Sequence, residues 1–175
     1  CDCICVSGNW TPTVHLSSQS GNKLKFDNKI DAFIPNQSRQ NESAIGSANG
    51  SFTLKKSLDD GFNKGYELSN KITGKNEKSK TPTSNERNYA QHDKFWCMPL
   101  PKNKHYKRCV DFQNDVYVSD IELAVREGFR SIEHVKRYTT LGMATDQGKT
   151  SNLNGLQLVS NIENKIVPEV GHTTF

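Results

Sequence analysis

The residues with the clearest potential for chemistry stand in one short run, Gly148-Lys149-Thr150-Ser151. A P-loop has this ending, but it also needs a glycine five residues before its second glycine, where this chain has Met143. The spacing therefore excludes a P-loop ATPase. Lys149 and the free N–H groups of a helix beginning near Thr150 still predict a weaker anion site, which has a plain helix start as its alternative.

A second candidate is the run of small residues at positions 46–50, Gly-Ser-Ala-Asn-Gly. Glycine lets the backbone come close to a ligand, and a helix that follows such a turn presents N–H groups to a phosphate. The run is therefore suited to a dinucleotide phosphate. Small residues before a helix also serve ordinary packing, so both interpretations stay open.

The cysteines and histidines predict neither a metal site nor a catalytic centre. The cysteines lack the second cluster that a zinc site requires, and we expect them to be reduced thiols in a core. The histidines form no metal-binding pair, and no nucleophile stands near a base. The residues concerned are Cys1, Cys3, Cys5, Cys97, Cys109, His15, His92, His105, His134 and His172.

Composition narrows the class of protein. Hydrophobic residues make up 33% of the 175 residues, the mean hydropathy is −0.74 and the net charge is +4, without a clustered basic stripe. This argues against a nucleic-acid partner. No apolar run approaches the ~20 residues of a membrane span, and the first residues do not resemble a signal peptide. We predict a cytoplasmic protein without a membrane partner.

The first half of the chain predicts a small α/β unit. Residues 1–8 have the pattern of a buried strand, so we expect the chain to be a piece of a longer one. Residues 10–16 are irregular, and residues 24–26 and 32–35 predict a hairpin. Residues 53–68 predict an amphipathic helix with Leu54, Leu58, Phe62 and Gly65 on one stripe, and the glycines Gly61 and Gly65 predict close backbone packing.

The second half predicts three short helices. Ser119 and Glu122 fit a capping box for a helix over residues 119–127 that ends at Gly128. A second helix covers residues 131–138, and a third begins at position 150 or 151. Their apolar positions are Ile121, Ala124, Val125, Ile132, Val135, Leu153, Leu156 and Val159.

Residues 110–116, 120–140 and 142–152 closely resemble the α subunit of heterotetrameric sarcosine oxidases, as does the segment 6–16. The resemblance implies α/β architecture plus a small α domain. Residues 1–69 would be the C-terminal part of a two-dinucleotide-binding domain like that of pyridine nucleotide-disulfide reductases. Residues 70–93 would be a polar linker, 94–163 a three-helix domain, and 164–175 the start of a folate-binding aminomethyltransferase-like domain.

The resemblance also implies binding residues. NAD would contact Ser47, Ala48, Phe52 and Thr53, with Ser47 standing where relatives carry Asp. Lys149 and Thr150 would lie near the phosphate of an FMN that is covalently bound to the β subunit. Tetrahydrofolate would bind in the domain that follows residue 163.

The helical domain is similar to bacterioferritin-associated ferredoxin, a module that holds an iron–sulfur cluster on four cysteines. The corresponding positions here are Asp111, Gln113, Asp146 and Ser151. An iron–sulfur cluster needs thiolates, so we expect no cluster and no other metal.

The implied function is a part of a sarcosine oxidase with β, γ and δ subunits as partners, inactive by itself and without catalytic residues of its own. The enzyme would convert sarcosine to glycine, with hydrogen peroxide and either formaldehyde or 5,10-methylenetetrahydrofolate as further products. The alternatives are the α subunit of a related amino-acid dehydrogenase, in which we would expect the cluster cysteines, and an assembly module without a redox role.

Overall fold

The structure, a computed structural model, describes residues 10–74, 80–85, 95–101 and 106–172. The chain divides into two compact units, Cys1–His92 and Asp93–Phe175. The predicted strand over residues 1–8 and much of the predicted linker lie outside the described residues. The predicted domain boundaries stay predictions.

The first unit contains a hairpin, as the sequence predicts. Its strands β1, Lys23–Asp27, and β2, Ala32–Gln37, are antiparallel. Phe26 lies opposite Phe33, with the two ring centroids 5.2 Å apart in an edge-to-face arrangement. Ala32 and Ile34 alternate with Phe33 and are buried, which gives the hairpin one inner face.

A short helix α1, His15–Gln19, precedes the hairpin where the sequence predicts irregular structure. Five residues are too few to show a helical period, so the pattern carries no signal for α1. Val14 is buried just before it, and the Ser20 hydroxyl donates to the carbonyl of Leu16 at 2.9 Å. The helix therefore depends on its local contacts.

A 3₁₀ helix, Gly46–Asn49, leads to helix α2, Leu54–Thr73. α2 begins as predicted, with the Thr53 hydroxyl accepting the N–H of Lys56 at 3.3 Å. It extends five residues beyond the predicted end, to Thr73, and the following Gly74 adopts a left-handed conformation.

The apolar stripe predicted on α2 is only partly covered, with Leu58 and Phe62 half-buried. None of the helix residues is fully buried, and Leu54 is 57% exposed. The prediction of close backbone packing is wrong at Gly65, because a Cβ added there would meet no atom within 4 Å. Phe62 instead stacks on Tyr66 along the helix, with the ring centroids 6.5 Å apart. An amphipathic pattern shows which face is apolar but not whether another element covers it.

The second unit is a small helical domain with a two-stranded ribbon. The antiparallel strands β3, Cys109–Asp111, and β4, Val116–Tyr117, precede the helices. Helix α3 packs against both α4 and α5, and α5 packs against α6. The helices are α3, Val118–Arg126; α4, Ile132–Thr139; α5, Asn152–Glu163; and α6, Val167–Val170.

The core of this unit is apolar and tightly closed. Its residues with no exposed surface are Ile121, Ala124, Ile132, Val135, Leu141 and Val159. The predicted core positions Ile121, Ala124, Ile132, Val135, Leu156 and Val159 are buried, whereas Val125 and Leu153 are half-buried.

The capping box predicted from Ser119 and Glu122 is wrong, because other residues cap α3. Helix α3 begins at Val118, and the Asp120 carboxylate accepts the N–H of Tyr117 at 2.8 Å. Glu122 lies 3.4 Å from the guanidinium of Arg108 instead. Because buried Val118 enters the helix directly from β4, the capping carboxylate comes from Asp120.

Helix α6 follows the predicted end of the helical domain, and its Val167 and Val170 are buried. It therefore belongs to the packing of the second unit. Within the described residues, no helix has both the length and the apolar character that a membrane crossing requires.

Candidate functional site

The strongest polar cluster of the second unit centres on Asp111, at the end of β3. Its side chain is almost completely buried, with the residue 3% exposed. One carboxylate oxygen accepts the N–H of Gly142 at 2.7 Å and the hydroxyl of Ser151 at 3.3 Å. The other accepts the N–H of Gln113 at 2.9 Å. Asp111 thus ties the β3–β4 turn to the loop over residues 141–151.

A second carboxylate, Asp146, lies within that loop. It accepts the N–H of Gly148 at 3.0 Å, and from Thr150 it accepts the N–H at 3.3 Å and the hydroxyl at 2.8 Å. The hydroxyl of Thr150, and then the N–H of Gly148, lower the pKa of Asp146, because both bonds favour the charged carboxylate. The N–H groups of Gly148 and Thr150 and the hydroxyl of Thr150 therefore already bind the carboxylate of Asp146 and are not offered to an outside anion.

The loop is held in a single shape by its glycines. Gly142 and Gly148 both have positive φ, 65° and 75°. A Cβ on Gly142 would lie 2.0 Å from the amide oxygen of Asn152, and one on Gly148 2.2 Å from the same side chain. Asn152 is 4% exposed and donates to the carbonyl of Gln147 at 3.3 Å. Only glycine fits at these two positions.

The four positions that correspond to cluster ligands do not form an iron–sulfur site. The structure brings Asp111 and Ser151 together, while Asp146 bonds within its own turn and Gln113 offers its backbone N–H to Asp111. Carboxylates, an amide and a hydroxyl do not provide the thiolates that such a cluster needs. In the part of the chain that the structure describes, no group of three His, Cys, Asp or Glu side chains is placed to hold a metal ion.

Cys109 does not supply a missing thiolate. Burial raises its pKa, and the nearby carboxylates of Asp115 and Asp111 raise it further. A thiol with a raised pKa stays protonated at neutral pH and is a poor nucleophile and metal ligand.

The first unit contains a cleft of about 850 Å³. Its walls are the segment 13–17 at the start of α1, the β1–β2 hairpin, residues 38–45, the 3₁₀ helix and one side of α2. Such a volume is typical of small-molecule sites, which span about 300–1,000 Å³. The charged residues on its walls are Lys25, Glu42, Asp60, Lys64 and Glu67.

Of the residues that the resemblance assigns to NAD, Ala48 lies on the wall of this cleft, and the other three are not among its lining residues. Ser47 and Phe52 are exposed, and the side chain of Thr53 caps α2. The sequence did not point to Asp60 or Glu67. Their signal is the spacing of Asp60, Lys64 and Glu67, which places all three on one face of α2.

Two comparisons by sequence point to one family. Residues 105–175 match the family model described as the sarcosine oxidase A3 domain. The sarcosine oxidase subunit alpha of Rhizobium meliloti (strain 1021) is 34% identical over 99% of this chain. That of Corynebacterium sp. (strain P-1) is 32% identical over the same share. The chain belongs to the sarcosine oxidase α-subunit family. It covers only 17% and 18% of the lengths of these two relatives.

The fold also has a solved relative outside the sarcosine oxidase α subunits. The crystal structure of L-proline dehydrogenase from P. horikoshii superposes with a TM-score of 0.64. The match covers 94% of this chain and 34% of the L-proline dehydrogenase chain, and the two sequences are 19% identical. The likeness shows a shared mixed α/β fold. For the sarcosine oxidase family, the comparisons thus confirm the resemblance seen in the sequence.

Proposed function

We propose that this chain is part of the α subunit of a heterotetrameric sarcosine oxidase, with β, γ and δ subunits as its partners. The observation that supports this most is the 34% identity to a sarcosine oxidase α subunit along 99% of the chain. The assembled enzyme would convert sarcosine, oxygen and water to glycine, formaldehyde and hydrogen peroxide. With tetrahydrofolate bound in a further domain, the one-carbon unit would leave as 5,10-methylenetetrahydrofolate.

We assign no catalytic residue to this chain and propose binding and assembly roles for its two units. The first unit would be the C-terminal part of a dinucleotide-binding domain, and the second a ferredoxin-like helical domain that has lost its cluster ligands. The proposed location of the enzyme is the cytoplasm.

NAD is the proposed ligand of the cleft in the first unit. The volume of about 850 Å³ suits a nucleotide, and Ala48 lies on its wall. Ser47, Phe52 and Thr53 remain proposed contacts. When bound, NAD would either take part in hydride transfer or have a structural role. The residues of this chain would bind it without taking part in the chemistry.

Lys149 and Thr150 are proposed to lie near the phosphate of an FMN at the interface with the β subunit. Lys149 is exposed, so its ammonium group can reach an anion. Asp146 holds both donors of Thr150. In this proposal Lys149 therefore provides the charge, and Thr150 fixes the turn that presents it.

Oxygen uptake by the assembled enzyme, purified through a tag on this chain, tests the proposed function. Sarcosine should cause uptake of oxygen and release of an equal amount of hydrogen peroxide. Reduction of an artificial dye by L-proline without oxygen uptake would indicate a dehydrogenase instead. Partner subunits without any redox activity would indicate an assembly module.

A further inference from the structure

Helix α2 carries its apolar residues on the side that faces away from the cleft. The helix lines the cleft with the polar residues Asp60, Asn63, Lys64 and Glu67. At 3.6 residues per turn, a row of apolar and small residues is rotated by roughly 130° from that wall. We call this row the outer stripe, and its residues are Leu54, Leu58, Gly61, Gly65, Leu68 and Ile72. The polar side of α2 thus faces inward, the reverse of a helix on the surface of a closed globule.

The first unit covers little of the outer stripe. The 3₁₀ helix lies near the first half of α2, where a Cβ added to Gly61 would lie 4.0 Å from the side chain of Ile45. In the second half, a Cβ added to Gly65 would meet no atom within 4 Å. Leu68 and Ile72 are 47% and 83% exposed. Within the described residues, the second half of the stripe is therefore apolar and open.

The composition of the outer stripe indicates that another element covers it. Contiguous apolar surface that stays exposed marks a contact site, because burial of leucine and isoleucine side chains stabilises a protein. Gly61 and Gly65 lower the stability of the helix relative to alanine. Without a Cβ at these positions, the backbone or side chains of a neighbouring element can approach α2 closely.

The size of the outer stripe favours a covering element from the same chain. α2 has 20 residues, so the stripe is about 30 Å long and about 10 Å wide. It offers about 300 Å², whereas a stable interface between separate proteins buries about 800 Å² on each partner. A segment of the same chain can bind to a smaller surface, because its covalent connection has already restricted its freedom of movement.

Most of the length of the relatives lies outside this chain, which covers 17% and 18% of the two sarcosine oxidase α subunits. In the proposed function, residues 1–69 are the C-terminal part of a dinucleotide-binding domain, whose earlier part precedes residue 1. We infer that the outer stripe of α2 packs against an apolar helix or strand of that earlier part. The inference rests on the proposed function.

Photo-cross-linking in the assembled enzyme tests this inference. The full-length α subunit would carry p-benzoylphenylalanine in place of Ile72, the most exposed residue of the outer stripe. Irradiation should link this position to the part of the α-subunit chain that precedes residue 1. Mass spectrometry of the cross-linked peptides identifies the partner segment. The substituted enzyme should retain sarcosine-dependent oxygen uptake.

The same replacement at Lys71 is the matched control. Lys71 is exposed, does not line the cleft and lies about 100° around the helix from Ile72. Its yield of the upstream cross-link should be several-fold lower than that from position 72. Equal yields from the two positions would overturn the inference, because they would show no preference for the outer stripe.

Hydroxyl-radical labelling of the wild type needs no substitution. Oxidation of Leu68 and Ile72 should be several-fold slower in the full-length α subunit, purified without its partner subunits, than in the 175-residue chain. Equal oxidation in the two samples would overturn the inference, even where the substituted enzyme does not assemble.

The outcomes separate the inference from the proposed function. An assembled enzyme without sarcosine-dependent oxygen uptake overturns the proposed function, whichever cross-link forms. An active enzyme in which position 72 is linked to another subunit, to a second α subunit or to residues 93–175 overturns the inference alone. An active enzyme without a cross-link overturns it as well.

Discussion

Three aspartate side chains, those of Asp111, Asp146 and Asp60, occupy the most distinctive polar positions in this chain. Asp111 accepts hydrogen bonds from four groups in two parts of the second unit, those of Gln113, Asn114, Gly142 and Ser151. Asp146 closes a turn on itself, and Asp60 lines a cleft. A buried carboxylate loses far more when its donors are removed than an exposed one does. The predictions for single residues therefore concern these side chains.

Asp111→Asn should lower the free energy of unfolding by about 2–3 kcal/mol, because hydrogen bonds to a buried charge become weaker or mismatched. Urea denaturation measured by circular dichroism gives this value. Asp115→Asn in the same turn is the control: Asp115 is exposed, and asparagine tolerates its positive φ. Equal losses in both variants would contradict the role of Asp111.

Asp146 should make the second unit sensitive to acid. Its pKa is below the ordinary 3.8 in the folded chain, so the unfolded state binds protons first. The stabilising effect of Asp146 is complete above its ordinary pKa and is lost as the pH falls through the lower, folded pKa. Carboxyl NMR titration should show this pKa moving up in Thr150→Val, which lacks the hydroxyl. An unchanged titration would show that Thr150 is not the main cause.

At the scale of elements, periodic patterns predicted more than local caps did. The hairpin and helices α3 to α5 follow alternating or helical spacing of apolar residues, and these elements formed where expected. Helix α1 is too short to show a period. The cap of α3 depends on burial of Val118, a tertiary contact that the sequence around Ser119 does not reveal.

The two candidate caps of α3 can be separated by mutation. Asp120→Ala should cost about 0.5–2 kcal/mol of stability, because it removes the acceptor for the N–H of Tyr117. Glu122→Ala should cost less, about 0–1 kcal/mol, since it loses only an exposed pair with Arg108. Thermal unfolding of the two variants measures the difference. A larger effect at Glu122 would support the capping box that the sequence predicts.

The loop over residues 141–151 should tolerate no side chain at its second glycine. Gly148→Ala adds a clash with Asn152 to the strain of positive φ, and should cost more than the ~1–2 kcal/mol of the strain alone. Gly128→Ala is the control, because Gly128 has φ +99° but no atom within 4 Å of an added Cβ. Similar melting temperatures for the two variants would contradict the steric argument.

At the scale of the whole molecule, sequence patterns alone did not show which distant residues meet. Asp111 and Ser151 are 40 positions apart, and no spacing rule connects them. The resemblance to ferredoxin-like relatives identified both as positions of cluster ligands. Only the structure shows the hydrogen bond between them. The sequence did not predict the cleft for a different reason. A polar helix face such as that of Asp60 and Glu67 usually faces solvent, so it gives no sign of a cleft.

The second unit should need helix α6 for full stability. Val167 and Val170 are buried, and burying a valine contributes about 1.5–3 kcal/mol as an upper estimate. Circular dichroism melts of residues 93–175 and 93–163 compare the unit with and without α6. The shorter piece should be helical but melt at a lower temperature. Identical melting temperatures of the two pieces would indicate that residues 164–175 belong to a separate domain, as the sequence predicts.

The hydrogen bonds that Asp111 accepts also have a consequence for the maturation of the second unit. Its bonds use only the carboxylate, hydroxyl and N–H groups of the chain, so none of them requires a metal ion. On the proposal that this unit has lost its cluster ligands, a cell would not have to deliver iron or sulfide before the unit could mature. Iron starvation or a chelator should leave its folding yield unchanged, while acid should lower it.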